Sequence, residues 1–149
     1  MKLVGCAVLA LSLIAGTANA AEWSLLYANK EVAFAFDAAS IKQVAGRKLA
    51  WVAFIYPDKN LGSDYSLERW EFDCAREMTT VTSFVAYDIE GQVTTSNDQR
   101  QRTLAAVPES PGKMALDAVC DIENYHDPDP SSAIRDLVRG YRLYVESAD

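Results

Sequence analysis

Residues 48–56 read Lys48-Leu49-Ala50-Trp51-Val52-Ala53-Phe54-Ile55-Tyr56, and almost every side chain in this stretch is apolar. Successive side chains of an extended strand point to opposite faces, so the apolar residues here fall on both faces. A strand of this kind is typical of the interior of a sheet that is covered on both sides. The sequence therefore predicts a central strand at residues 48–56.

Further strand patterns lie before and after this stretch. Val32, Phe34 and Phe36 alternate with alanines, which puts large side chains on one face and small ones on the other, and Asp37–Ser40 is expected to end the pattern. The other predicted strands are Trp23–Tyr27, Tyr65–Cys74, Thr79–Tyr87, Gln92–Ser96 and Leu104–Val107, with a hairpin turn at Asp88–Gly91. This order predicts an antiparallel meander of five to seven strands.

Two helices are predicted near the C-terminus. A short helix over Lys113–Val119 leads to Cys120, and an amphipathic helix spans about residues 131–147, with its starting signal in Asp127–Ser132. Its apolar stripe consists of Ile134, Leu137, Val138, Tyr141, Tyr144 and Val145, and Arg135, Asp136, Arg139 and Arg142 are expected to face away from it. The stripe is expected to pack on the sheet, which gives an α+β fold. A partner groove or a membrane surface is the alternative, although the acidic flanks disfavour a membrane.

The first twenty residues have the layout of a secretory signal peptide. Met1-Lys2 is basic, an apolar run follows from Leu3 to Gly16, and small residues at Ala18 and Ala20 fit a cleavage site. The run is too short for a membrane-spanning helix. Cleavage after Ala20 leaves a single domain at residues 21–149 in the periplasm or outside the cell, and removes Cys6. The alternative is lipidation at Cys6 through Leu3-Val4-Gly5-Cys6, but almost nothing basic or apolar precedes that sequence.

The charge of the exported chain excludes some partners. Lys2 leaves with the signal peptide, so 13 basic residues remain against 21 acidic ones, a net charge of −8. This charge repels nucleic acids and anionic lipid surfaces. We therefore expect neither nucleic-acid binding nor membrane insertion.

Cys74 and Cys120 are the only cysteines left after cleavage, and they enclose 45 residues. An exported protein meets an oxidising environment in which disulfides persist, and two cysteines allow one intrachain pairing. Closing a loop of this length stabilises a fold by about 4 kcal/mol in the chain-entropy model. A redox pair is the alternative, but there is no C-x-x-C motif and no neighbouring cation or histidine to lower a thiol pKa. The sequence predicts a structural disulfide.

Residues capable of catalysis or metal binding are scattered. The only histidine is His126, and a catalytic triad would also need a nucleophile. The sequence contains no nucleophile motif such as G-x-S-x-G. One histidine cannot complete a zinc site. The acidic residues that follow Cys120 offer carboxylates for calcium, yet the EF-hand pattern is absent, so we interpret them as turn and capping residues; they are Asp121, Glu123, Asp127 and Asp129. No metal or cofactor is expected.

Two further groups of residues bear on function. An enzyme requires an acid–base pair, for which Glu68, Glu71 and Asp73 are the candidates. A binding protein requires contact residues, for which the aromatic residues Tyr65, Trp70 and Tyr87 are candidates, although a role in the core or within a strand is the better interpretation of each.

The order of several landmarks along the chain resembles the surface-adhesin protein E family of bacterial exported proteins. The landmarks are Trp23, Asp37, Ser40-Ile41, Trp51, Glu71-Phe72-Asp73-Cys74-Ala75, Pro108-x-Ser110 and Val119-Cys120. The resemblance extends from about Trp23 to Cys120. It implies an antiparallel sheet with a helix pinned by the disulfide, in a surface or periplasmic protein. The best-known member binds host extracellular proteins, can dimerise, and is anchored through a lipidated cysteine.

The sequence therefore predicts an exported, non-catalytic binding module that contacts host or envelope proteins. Two alternatives remain at this stage. One is a periplasmic structural or envelope-assembly protein, with a homodimer along an exposed sheet edge. The other is a hydrolase based on carboxylates.

Overall fold

The computed structural model describes residues 20–60 and 62–148. The predicted signal peptide and Cys6 lie outside these residues, apart from Ala20. The described residues form seven strands and two helices. In chain order they are β1 (Trp23–Ala28), β2 (Ala33–Val44), β3 (Arg47–Asn60), β4 (Ser63–Asp73), β5 (Met78–Tyr87), β6 (Val93–Asn97), β7 (Leu104–Ala105), α1 (Pro111–Cys120) and α2 (Ile134–Ser147).

The strands form one antiparallel sheet in which β1 to β6 lie side by side in chain order. The short strand β7 pairs with the beginning of β5, at Met78 and Thr79. β3 pairs with β2 on one side and with β4 on the other, so the apolar stretch at residues 48–56 is an interior strand. The predicted α+β meander is confirmed.

Each face of the sheet carries one helix. On the front face, α1 packs on the large side chains of Phe34, Phe36 and Phe72 through Leu116 and Val119. On the back face, α2 packs through Val138 and Tyr141 on small or branched residues that include Ala33 and Ile55. Because phenylalanine and alanine alternate in β2, the large side chains lie on the front face under α1 and the small ones lie on the back face under α2. The alanines let the backbone of α2 approach the sheet closely.

A disulfide between Cys74 and Cys120 joins the end of β4 to the last residue of α1, with 5.7 Å between the two Cα atoms. The Lys48 ammonium donates hydrogen bonds to the carbonyl oxygens of Val119 and Cys120 at 2.9 and 3.1 Å. These contacts supply donors for carbonyl groups that have no partner within the last turn of a helix. The predicted disulfide is confirmed, and it fixes the C-terminal end of α1 on the front face.

The strand prediction was wrong at Asp37–Ser40, because β2 continues to Val44. The pairing register with β3 shifts between Asp37 and Lys42, so these residues form an irregularity within the strand. The carboxylate of Asp37 accepts hydrogen bonds from the backbone N–H groups of Glu22 and Ala39. The backbone N–H of Trp51 donates to the Ser40 hydroxyl at 2.9 Å. Side chains therefore replace the strand hydrogen bonds that the shift removes.

The C-terminal helix begins at Ile134, three residues later than predicted, and no side chain caps its N-terminus. Ser131 instead pairs with Trp23 through two backbone hydrogen bonds of 2.8 and 2.9 Å. Tyr144, predicted to lie in the buried stripe, is 49% exposed. Arg142, predicted to face away from the sheet, contacts the buried carboxylate of Asp64. The apolar stripe is wider than the strip of sheet beneath it, so the sheet covers its centre and leaves one side open.

Neither helix in the described part of the chain has the length and apolar character needed to cross a membrane.

Candidate binding surfaces

The three candidate catalytic carboxylates lie on two different faces of the sheet. Glu68 is on the front face with Trp70, whose indole N–H donates to its carboxylate at 2.8 Å. Glu71 is an odd number of residues away on the same strand, so it points to the back face. There Arg47 contacts Glu71 and also lies 3.7 Å from Asp73. Glu68 therefore cannot share a substrate with either of the other two.

Glu71 is held in its ionised form by two arginines. Arg100 donates two hydrogen bonds to its carboxylate at 2.8 and 2.9 Å, and Arg47 donates another. These hydrogen bonds lower the pKa of Glu71 to about 2, with Arg100 as the largest cause. A carboxyl group with this pKa is a poor proton donor or acceptor near neutral pH. Its structural effect is to hold the segment that contains Arg100 against the sheet.

Glu71→Gln is expected to lower the free energy of unfolding by about 1 kcal/mol at pH 7, because both arginines are near half exposed and solvent weakens the ion pairs. A carboxylate with a lowered folded-state pKa stabilises the protein above its unfolded-state pKa. That stabilisation is lost as the pH falls from about 4.5 to about 2. The difference between the wild type and the variant in urea unfolding should therefore shrink over this range.

Glu90→Gln in the β5–β6 turn is the matched control for this titration, because Glu90 is an exposed acid. It should leave the unfolding free energy within about 0.5 kcal/mol of the wild type at pH 7. An equal gap between Glu71→Gln and the wild type at pH 7 and pH 2 would show that the arginine contacts do not stabilise the fold.

The residues after Cys120 adopt local turns. His126 is exposed, and the Asp127 carboxylate accepts a hydrogen bond from the backbone N–H of Asp129 at 3.0 Å. The carboxylate of Asp121 accepts from the Asn124 side chain. No three histidine, cysteine or acidic side chains in the described residues converge as a metal site would require. The acidic residues thus take part in turn hydrogen bonds.

Two of the three aromatic residues considered as contact residues are buried, which agrees with the core role expected for them rather than with a contact role. Tyr65 is 4% exposed and Trp70 is 6% exposed. The ring of Tyr65 stacks on that of Tyr87, with 5.2 Å between centroids. Tyr65 packs with Val138 and Tyr141 beneath α2. These side chains stabilise the sheet and its helices.

An apolar groove of about 450 Å³, which we call the β1–α2 groove, lies between β1 and α2. It is lined by Leu25, Ala28, Asp136, Leu137, Gly140, Tyr141 and Tyr144. The exposed large apolar residues of β1 and α2 include Leu25, Leu143 and Tyr144, which are 46%, 66% and 49% exposed. A side chain at Gly140 would meet no atom within 4 Å, so the groove is open above this residue.

The β1–α2 groove also contains polar groups without partners. The hydroxyl of Tyr141 is buried and has no hydrogen-bond partner among the described residues. On the outer edge of β1, Trp23 pairs with Ser131. The residue before Ser131 is Pro130, which has no backbone N–H to donate to a neighbouring strand. No described strand pairs with this edge at Leu25. A bound polypeptide would find apolar contacts in the groove and the unpaired strand edge of β1 at Leu25.

A family model described as surface-adhesin protein E matches residues 23–121, about two thirds of the chain. The chain belongs to the surface-adhesin protein E family. Membership implies an adhesin-like binding role in a surface or exported protein. The matched residues contain all seven strands of the described part of the chain and α1, but they end before α2. The β1–α2 groove therefore combines a strand of the adhesin E domain with a helix outside the matched residues.

Two solved structures of Haemophilus influenzae protein E are similar to this chain. Crystal form II is 16% identical, covers 62% of this chain and 83% of its own, and has a TM-score of 0.50. The structure from the non-typeable organism is 14% identical, with 95% and 96% of the two chains covered and a TM-score of 0.46. At this identity the first likeness supports the adhesin E fold alone. None of the curated proteins matches the sequence.

Proposed function

We propose that this protein is an exported, non-catalytic binding module that contacts extracellular or envelope proteins through the β1–α2 groove. The exposed apolar side chains of Leu25 and Tyr144, which line that groove, and of Leu143, which precedes Tyr144 on α2, carry the proposal. Contiguous exposed apolar surface in an exported protein is typical of a protein-binding site. Membership of the adhesin E family supports a binding function, and the exposed apolar lining of the groove supports this location for it.

The non-catalytic part of the proposal rests on the arrangement of the ionisable residues. Glu71 is ionised between two arginines, and Glu68 lies across the sheet from it. His126 is exposed in a turn. No two of these groups share a site with the geometry that acid–base catalysis requires. A hydrolase is therefore the weakest of the three functions considered.

An envelope-assembly role is supported by β6, which forms one end of the sheet. All five of its residues are exposed, and Val93 is 59% exposed. An edge strand of this kind offers unpaired backbone groups to a second strand. The two functions would use different surfaces. A homodimer would form through β6, whereas the β1–α2 groove lies at the opposite edge of the sheet.

Site-specific photocrosslinking in the native cells tests the proposal. A crosslinker placed at Leu143 is expected to capture a second protein, since this residue is exposed on α2 and precedes Tyr144, which lines the groove. Leu25→Ser together with Tyr144→Ser should reduce the yield of that adduct at least tenfold, because large apolar residues dominate binding energy at such contacts. Adducts are identified and quantified by mass spectrometry.

Two controls test whether the adduct forms at the groove and whether the captured protein is a second copy of the chain. A crosslinker at Val93 is the matched control, since Val93 is also an exposed apolar residue but lies on β6. Adducts from Val93 alone, or an adduct from Leu143 that the double substitution does not reduce, would count against the groove. Light scattering of the purified protein distinguishes a partner from a second copy: a strict monomer assigns the Leu143 adduct to a different protein.

A further inference from the structure

A buried carboxylate without a cation lies beside the residues that precede β1. Asp37 is 8% exposed, and its Oδ1 atom accepts hydrogen bonds from the backbone N–H groups of Glu22 and Ala39 at 2.8 and 3.1 Å. No lysine, arginine or histidine of the described residues forms an ion pair with it. Because burial removes solvation from a charged group, this carboxylate favours a positive charge nearby.

A cavity of about 440 Å³ is lined by both Asp37 and Ala21. Lys42 and Arg69 also line this cavity, but within the described residues neither forms an ion pair with Asp37. Both cations are exposed, so solvent and salt weaken their repulsion of a further positive charge. The carboxylate of Asp37 and the backbone of Ala21 therefore share one open cavity.

Glu22 holds the nitrogen of Ala21 close to Asp37. The backbone N–H of Glu22 donates to Asp37, and its carbonyl oxygen accepts from the backbone N–H of Ala38 at 2.8 Å. Three covalent bonds separate the nitrogens of Ala21 and Glu22, so the Ala21 nitrogen lies within about 6.5 Å of Oδ1 of Asp37. Rotation about the Cα–C bond of Ala21 moves this nitrogen without disturbing either hydrogen bond of Glu22.

We propose that hydrolysis of the Ala20–Ala21 peptide bond during export creates an α-ammonium group at Ala21 that forms an ion pair with Asp37. Water adds across the bond, so that Ala20 leaves with a carboxylate and the nitrogen of Ala21 becomes an ammonium. An α-amino group has an ordinary pKa of about 7.7–8.0 and is charged at pH 7. Before cleavage the same nitrogen is a neutral amide. Removal of the signal peptide therefore stabilises the fold that it releases.

This ion pair depends on export, which is part of the proposed function, but not on the β1–α2 groove. The new N-terminus and the unfolding equilibrium are measured on the purified protein, whereas the groove is tested by crosslinking in cells. A failure of the ion pair is therefore distinguishable from a failure of the groove.

The protein exported with its own signal peptide and then purified tests the proposal. Mass spectrometry is expected to find Ala21 as the N-terminal residue, and a different N-terminal residue would overturn the proposal. The α-amino group is then acetylated selectively at about pH 6.5, where lysine side chains are almost fully protonated. Acetylation is expected to raise the equilibrium constant for unfolding in urea at pH 7 about tenfold, because it removes the charge and leaves every side chain in place.

Asp37→Asn should reduce this effect of acetylation to less than about twofold, because an asparagine oxygen still accepts from the backbone but carries no charge. Glu22→Gln is the matched control: it removes an exposed acid next to the N-terminus and should leave the tenfold effect unchanged. An effect below twofold in the wild type, its loss in Glu22→Gln, or its persistence in Asp37→Asn would overturn the proposal. The wild type and Glu22→Gln decide the question even if Asp37→Asn folds poorly.

Discussion

Replacing both Cys74 and Cys120 with serine is expected to lower the free energy of unfolding by about 4 kcal/mol, measured by urea unfolding of the oxidised wild type and the variant. The disulfide closes a loop with a sequence separation of 46 and so restricts the unfolded chain. In the folded state it holds α1 over Phe36 and Phe72. About 4 kcal/mol is a large part of the roughly 5–15 kcal/mol that stabilises a domain.

The wild type in a strong reductant is the control for this variant. Reduction should move its unfolding midpoint to that of the double serine variant, because both lack the covalent bond and differ only by sulfur and oxygen atoms. The redox-pair alternative makes the opposite prediction, since a catalytic disulfide cycles without loss of the fold. An unfolding midpoint that is the same with and without reductant would therefore contradict the structural role.

The layers of this fold were predictable because the side-chain alternation is strong. In β2, Phe34 and Phe36 on one face and Ala33 and Ala35 on the other specify two different packing partners. The apolar character of residues 48–56 on both faces then requires a cover on each side. Two cysteines with one way to pair fixed where α1 attaches. Each of these inferences uses either the two-residue alternation of a strand or the number of cysteines, and both can be read from the sequence alone.

The irregular parts of the fold were not predictable for a related reason. Asp37 resembles a strand terminator in sequence, yet its carboxylate binds backbone groups at Glu22 and Ala39 and carries the strand through a register shift. Arg142 falls on the polar side of a helical wheel. Only the tertiary position of Asp64 makes it a buried contact. Side chains that pair across large sequence distances leave no periodic signal.

The candidate sites show the same division. The sequence named Glu68 as a candidate for an acid–base pair, and it named Trp70 as a candidate contact residue for which a core role was the better interpretation. Glu68 and Glu71 lie on opposite faces of β4, and Glu68 accepts a hydrogen bond from the indole of Trp70. The β1–α2 groove had a partial signal, since the helical stripe was wide enough to leave Tyr144 uncovered. Which side of the stripe stays open depends on where α2 docks.

Arg142→Met is expected to lower the free energy of unfolding by about 3 kcal/mol, because it leaves the charge of Asp64 buried without its partner. The side chain of Asp64 is 0% exposed, while that of Arg142 is 25% exposed. The second oxygen of Asp64 accepts from the backbone N–H of Ile89 at 2.8 Å. One carboxylate therefore joins β4, the turn after β5 and α2. Urea unfolding of the variant and the wild type measures the loss.

Arg139→Met on the same helix is the matched control, since its ion pair with Asp136 is exposed on both sides, at 65% and 63%. This change should alter the unfolding free energy by less than about 0.5 kcal/mol. The double variant Asp64→Asn with Arg142→Met should be more stable than Arg142→Met alone, because the unpaired buried charge is gone. Equal losses from Arg139→Met and Arg142→Met would contradict the buried pair. If the prediction holds, Arg142→Met also loosens α2 and should weaken crosslinking at Leu143, because the β1–α2 groove exists only while α2 is docked.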